Sequence, residues 1–196
     1  MKIRNYTTFF LLFALLPIAA AAQFTDGVSL TVNGQAAQRA GNNFSMLSAC
    51  GQNQAVINVT AEQGATVGIN GVMQNPATLN LPDYGDNIIA ISVTPQGGSA
   101  QNYTLIVNKP IPFDQIILMR WHNTFTIINN PANNGGYTFT SFKWFRNGLQ
   151  ISADQSWSAG PNGELLNPAD IYYVEVIDNS VNGIIRTCLS TSSSQW

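Results

Sequence analysis

The side chains suited to chemistry are few and scattered along this chain. Its only histidine is His122, and its only cysteines are Cys50 and Cys188. A catalytic histidine needs a nucleophile or an orienting carboxylate, and no G-x-S-x-G motif is present to supply a serine elbow. One histidine also cannot build the usual zinc constellation. The expectation for His122 is a surface or edge position. Asp83, Asp86 and Asn87 come closest to an oxygen cluster for calcium, but their spacing fits no EF-hand loop. Asp114, Asp170 and Asp178 are dispersed, so no glycosidase-like carboxylate pair can be assembled from them. No catalytic, cofactor-binding or metal-binding residue is assigned, no cofactor is expected, and the chain reads as a non-enzyme.

Aromatic residues carry the remaining signal. Tyr137, Phe139, Phe142, Trp144 and Phe145 crowd one strand-like segment. Strict alternation sets Tyr137, Phe139 and Phe145 against Phe142 and Trp144, so one face packs and the other is offered for contact. Trp157 stands apart in the polar, Ser-rich segment 152–163. An indole in such a loop can stack on a sugar or anchor a protein partner, although core packing is the commoner fate of tryptophan. Trp157, Tyr137, Phe139 and Phe145 are therefore the candidate contact residues.

The elements that position these residues are strands. After the first two dozen residues helical periodicity is nearly absent and apolar/polar alternation takes over. Asn-Gly pairs at 33–34, 70–71, 147–148, 162–163 and 182–183 call for tight hairpin turns, in which both central residues need positive φ. Segments 28–33, 55–61, 66–70, 77–81, 87–94 and 101–108 form one strand series. Segments 116–122, 124–128, 137–146, 170–178 and 184–189 form a second. Ile57 and Val59, then Ile89, Ile91 and Val93, then Tyr103, Leu105 and Val107 each share one face and should be buried. Between the two series lies Lys109-Pro110-Ile111-Pro112, where two prolines fix φ and make a short, stiff connector. The fold class is all-β: tandem antiparallel β-sandwiches spanning residues 24–109 and 113–196, joined by 110–112.

The N-terminus reads as a secretory signal, residues 1–22. Lys2 and Arg4 precede an apolar run from Phe9 to Ile18, and Ala19–Ala22 supply small residues for cleavage. The run falls short of the roughly 20 residues a spanning helix needs. Removal of the signal leaves six basic residues against ten acidic ones, so the formal charge is near −4. Nothing in that balance attracts nucleic acid, and no membrane insertion is expected after cleavage. Charged residues are only 9% of the chain; Asn, Gln, Ser, Thr and Gly take their place, as on many extracellular β proteins.

Leu81…Gly85-Asp-Asn87-Ile-Ile89-Ala-Ile91-Ser-Val93, the turn at Gly97-Gly98 and Tyr103-Thr-Leu105-Ile-Val107 together resemble the cadherin-like sandwich domains of bacterial surface proteins. That resemblance implies a structural or adhesive module with no active site. Arg120-Trp121 on an early strand, Phe142-Lys-Trp144-Phe-Arg-Asn147-Gly148 and Tyr172-Tyr-Val174 resemble an immunoglobulin-like module of exported proteins from Bacteroidetes-type bacteria. The resemblance implies that Trp144 is the buried strand-C tryptophan and Tyr172 a tyrosine-corner residue. It puts Val174 where the second immunoglobulin cysteine would be, leaving no intersheet disulfide.

A structural or adhesive protein with a protein partner in an envelope or surface assembly is the function expected. A carbohydrate-binding module with a polysaccharide ligand is the alternative. The location would be the periplasm, the outer membrane or the cell surface. Cys50 and Cys188 are expected to remain unbonded within one chain. Cys50 is placed in a loop of the first sandwich and Cys188 at the end of the second away from the connector, beyond the roughly 7 Å reach of a disulfide.

Overall fold

The structure is a computed structural model; it describes residues 27–160, 162, 164–179 and 183–191. The signal segment, residues 1–22, lies outside the described residues.

The first half begins with β1 (Ser29–Val32), β2 (Gln35–Ala36), β3 (Gln38–Ala40), β4 (Asn43–Leu47) and β5 (Gln54–Thr60). It continues with β6 (Thr66–Ile69), β7 (Ala77–Asn80), β8 (Gly85–Thr94) and β9 (Gln101–Lys109). These build two sheets, ordered β2-β1-β5-β7 and β3-β4-β9-β8-β6. Alternation does what period two dictates. Ala55, Ile57 and Val59 of β5, Ile89, Ile91 and Val93 of β8, and Tyr103, Leu105 and Val107 of β9 fill the space between the sheets. Positions 35–53, which carry no clear alternation, hold β2, β3 and β4. The chain leaves the first sheet after β2 and enters the second at β3, which turns at Gly41 into β4. Arg39 braces this crossing: its Nε donates to Gly41 O at 2.8 Å and its guanidinium lies over Phe44 and Tyr103.

The second half holds α1 (Phe113–Ile116), β10 (Ile117–Arg120), β11 (Thr124–Ile127), α2 (Pro131–Asn134) and β12 (Phe139–Arg146). It ends with β13 (Leu149–Ser152), β14 (Ser156–Ser158), β15 (Ile171–Asp178), β16 (Ile185–Arg186) and β17 (Ser190–Thr191). The sheets are β10-β11-β14 and β13-β12-β15-β16, with β17 also on β15. That arrangement corresponds to the A-B-E and C′-C-F-G sheets of an immunoglobulin-type sandwich. At Asn33-Gly34, Asn70-Gly71 and Asn147-Gly148 both residues have positive φ, as hairpin turns with the right-handed strand twist require. The other two Asn-Gly pairs fall partly outside the described residues.

Every described ladder lies wholly before or wholly after the Pro110–Pro112 segment, and each half has its own apolar cluster. The connector itself is packed rather than free. Ile111 is 0% exposed, its N–H donates to Arg186 O at 2.9 Å, and its carbonyl accepts from Cys188 N at 2.8 Å.

Cys50 and Cys188 form a disulfide, with Cα atoms 5.7 Å apart. This corrects the expectation that they stay unbonded. An odd number of antiparallel passes does carry the chain's end away from the connector, but it brings the start of the last strand back to it. Cys188 follows just after β16 and sits beside Ile111. Cys50 follows β4, which runs parallel to β9 with Leu47 opposite Asn108. Since β9 leads into the connector, β4 delivers Cys50 to the same place; Ser48 N donates to Asn108 O at 2.9 Å. The parallel β4–β9 pairing is the element the sequence concealed.

Candidate binding surfaces

The second core is built around Trp144. Its indole is 0% exposed, lies nearly parallel to Phe125 at 5.9 Å, and donates from Nε1 to Asp154 O at 2.8 Å. Val174, its cross-strand partner, is fully buried as well. Tyr172 is also fully buried, packing edge-on to Phe125 at 5.1 Å. Its hydroxyl makes no hydrogen bond of normal geometry. Burial, reinforced by the Asp170 carboxylate, raises the Tyr172 pKa.

The candidate contact residues do not gather on one surface. Phe139 is 3% exposed and belongs to the core. A bulge in β12 between Phe139 and Ser141 adds one residue to the strand. That slip puts Phe139 on the same side as Trp144, against the strict alternation expected. Tyr137 precedes the strand, half-buried, stacked on Phe139 at 5.7 Å and 6.5 Å from Tyr84 of the first half. Burial, then the neighbouring Tyr84, Asp178 and Asp83, raise its pKa. Phe145 points out of the sandwich and stacks on Tyr173 at 4.5 Å, while Arg186 lies over the same Tyr173 ring at 3.8 Å.

Trp157 is not in an open loop. It sits on β14 opposite Phe125, half-buried against the second core and 5.8 Å from Tyr172. The serines beside it face outward and bond across the sheet, Ser156 to Thr126 at 3.1 Å and Ser158 to Thr124 at 2.8 Å. A three-residue strand with a polar outer face had the composition of a loop.

Trp121 moves in the opposite direction. The sequence placed Arg120-Trp121 and His122 on a strand spanning 116–122. The structure puts Trp121 and His122 at the tip of the β10–β11 hairpin, with φ of 51° and 58°. Trp121 is 74% exposed. No sequence signal marked this turn, because it contains neither Gly nor an Asn-Gly pair.

Asn87 acts as a turn stitch: its buried amide donates to Asp83 O, Gly85 O and Val107 O. Asp86 Oδ1 accepts from Asn108 Nδ2 at 2.7 Å. Among the described residues no three His, Cys, Asp or Glu side chains are grouped to hold a metal ion.

Two clefts flank the junction between the halves. One, of about 290 Å³, is lined by the disulfide together with Leu47, Pro110, Arg186 and Leu189. The other, about 500 Å³, opens on the outer face of the first sandwich along β4, β9 and the start of β8. There Ile88 pairs with Ile106, which pairs with Ser45, so three strands contribute to one outward row. Ile88 is 59% and Leu47 44% exposed.

The fold is that of all-β sandwich modules, one pair of sheets before the connector and one pair after it. Residues 59–110 match the family model of the cadherin-like beta sandwich domain. No curated protein sequence matches the chain. Among solved structures, the chain is similar to the fibronectin(III)-like modules of Clostridium thermocellum CbhA. The identity is 11%, with 83% of this chain and 90% of that one covered, at a TM-score of 0.29. It is also similar to SGBP-B of the Bacteroides ovatus mixed-linkage glucan utilization locus, solved with a mixed-linkage heptasaccharide. That identity is 15% and the TM-score 0.24; the match covers 83% of this chain and 46% of that one.

Proposed function

We propose that this protein is an exported, non-catalytic structural or adhesive component that makes protein–protein contacts in a bacterial envelope or surface assembly. In this reading residues 1–22 direct export and are removed. Residues 24–109 and 113–196 fold as separate sandwiches, held together by the Cys50–Cys188 bond. The described residues contain no helix long and apolar enough to cross a membrane. The supporting observation is the outer face of the first sandwich. Ile88, Ile106 and Leu47 share that outer face beside an open depression, with Ile88 and Leu47 exposed. Exposed apolar strips with polar borders are typical of protein contact sites.

The test is site-specific photo-crosslinking in the producing bacterium. A photoreactive residue at Ile88 should give a discrete adduct with an envelope protein, and one at Asn58, exposed on the opposite sheet, should not. Identical patterns at both positions, or none at Ile88, would remove the support for this face. The second reading, a carbohydrate-binding module, loses the open groove expected around Trp157. It gains the exposed indole of Trp121.

A further inference from the structure

We infer that the β10–β11 hairpin tip, centred on Trp121, is a binding site for a pyranose ring of a neutral polysaccharide. The inference rests on the carbohydrate-binding reading and is independent of the protein-contact face of the first sandwich.

The backbone at the tip gives the first reason. A three-residue turn with two left-handed positions is made most easily by Gly or Asn; a bulky aromatic there is a steric outlier. Trp121 adopts φ of 51° while leaving its ring 74% exposed. The core therefore gains little from this indole, and the turn is strained by it.

The tip is also held still. Asn123 N donates to Arg120 O at 3.2 Å, closing the turn. His122 O accepts from Leu166 N at 3.1 Å, and Asn123 O from Ala159 N at 2.8 Å. Asn123 Oδ1 accepts from Thr124 Oγ1 at 2.9 Å. The hairpin is thus tied to both ends of the segment that follows β14, so its exposed ring is presented on an anchored support. Binding then costs little loop ordering.

The residues that flank the tip and its anchoring segment carry chemistry that suits a sugar. The C–H face of a pyranose carries partial positive charge and stacks on the negative face of an indole, while its hydroxyls need donors and acceptors at the rim. Arg120, next in sequence and exposed, offers guanidinium donors. Glu164, two residues before the Leu166 N–H that holds the tip, offers a carboxylate. Its own backbone N–H and that of Asn162 keep its pKa below the usual carboxylate range, so it stays an acceptor. A protein hot spot would instead surround the tryptophan with an apolar ring that excludes water. Among the described residues of that segment, Leu165 is the one exposed large aliphatic side chain, and the exposed Asn162 and Glu164 are polar. The scarcity of charge, 9% of residues, favours an uncharged glycan over an acidic one.

The test is affinity electrophoresis of the mature, oxidised protein in native gels. The gels contain a panel of neutral polysaccharides: β-glucans, α-glucans, xylans, mannans and galactans. Retardation by at least one is expected, with at least a tenfold loss of affinity in Trp121→Ala and wild-type affinity in Trp157→Phe. Trp121→Gly, which relieves the left-handed strain, serves as the folding control: it should keep the wild-type circular dichroism spectrum and lose binding. No retardation across the panel overturns the inference, as does retardation undiminished in both Trp121 variants. A protein ligand captured through Trp121 by a chain that binds no glycan overturns it too.

Discussion

Removing the Cys50–Cys188 bond should destabilise both sandwiches, and by similar amounts. The bond closes 138 residues of chain, but the relevant loops are shorter if each half unfolds separately. When the second half unfolds alone, Cys188 stays tethered to Cys50, and the chain leaves the folded first half at Lys109. The unfolded chain is then confined to a loop of about 80 residues, which costs it about 4.5 kcal/mol of entropy. When the first half unfolds alone, the loop from Cys50 to Ile111 is about 60 residues, and the cost is about 4.3 kcal/mol. Native-state adjustments usually reduce such values, so about 3–4 kcal/mol per transition is expected. With a slope of about 2 kcal/mol/M in guanidinium for domains of this size, each midpoint should fall by about 1.5–2 M. The assay is guanidinium unfolding of the wild type and the Cys50→Ser/Cys188→Ser variant, followed by far-UV circular dichroism and by tryptophan fluorescence. All the tryptophans lie in the second half of the chain. Fluorescence therefore reports that half, while dichroism reports both. A shift under 0.5 M would refute the loop argument. A shift in only one transition would refute the symmetry that follows from placing both cysteines at the junction.

Four further outcomes follow. Trp144→Ala should cost about 3–5 kcal/mol, because a fully buried indole and its bond to Asp154 are lost together; a loss below 1 kcal/mol in a chemical-denaturation series would show that the second core is organised differently. Tyr172→Phe should change stability by less than about 0.5 kcal/mol or raise it slightly, since the buried hydroxyl has no well-formed partner to lose; a loss above 1.5 kcal/mol would mean that the hydroxyl is bonded after all. Tyr137 and Tyr172 both have folded pKa values above 10, so the folded state holds their protons longer than the unfolded state does. Their contribution is intact below about pH 10 and is lost as pH rises through the folded values; denaturation midpoints should drop above pH 10, less steeply in the Tyr137→Phe/Tyr172→Phe variant. Gly183→Ala should disturb the junction, because Gly183 has φ of 79° and an added Cβ would strike the Asp86 carboxylate of the first half; unchanged small-angle scattering and unchanged midpoints would contradict this.

Much of the architecture is local information. Side-chain period two placed Ile57, Ile91 and Leu105 in the core because a strand's face is decided by its own alternation. Asn-Gly pairs fixed turns because their φ preference belongs to the two residues themselves. Trp144 could be placed by its aromatic surroundings and the spacing of an immunoglobulin-like pattern. Other features depend on residues far apart in sequence. The bulge that turns Phe139 inward appears only when β12 is laid against β15. Trp157 becomes part of a strand only because β11 supplies its partner. Trp121 is exposed because Asn123 and His122 are tied to a segment some 40 residues later, an arrangement no local spacing encodes.

The cysteines divide the two kinds of information most clearly. The chain by itself determined that there are two sandwiches' worth of strands, a proline-bearing connector between them, and two thiols far apart in sequence. Whether the thiols meet depends on strand direction: β4 must run parallel to β9, and the last strand must start beside the connector. Direction and pairing are set by which apolar faces close over one another across the whole chain. That is a property of the packed tertiary structure, and only there do Cys50 and Cys188 come within bonding distance.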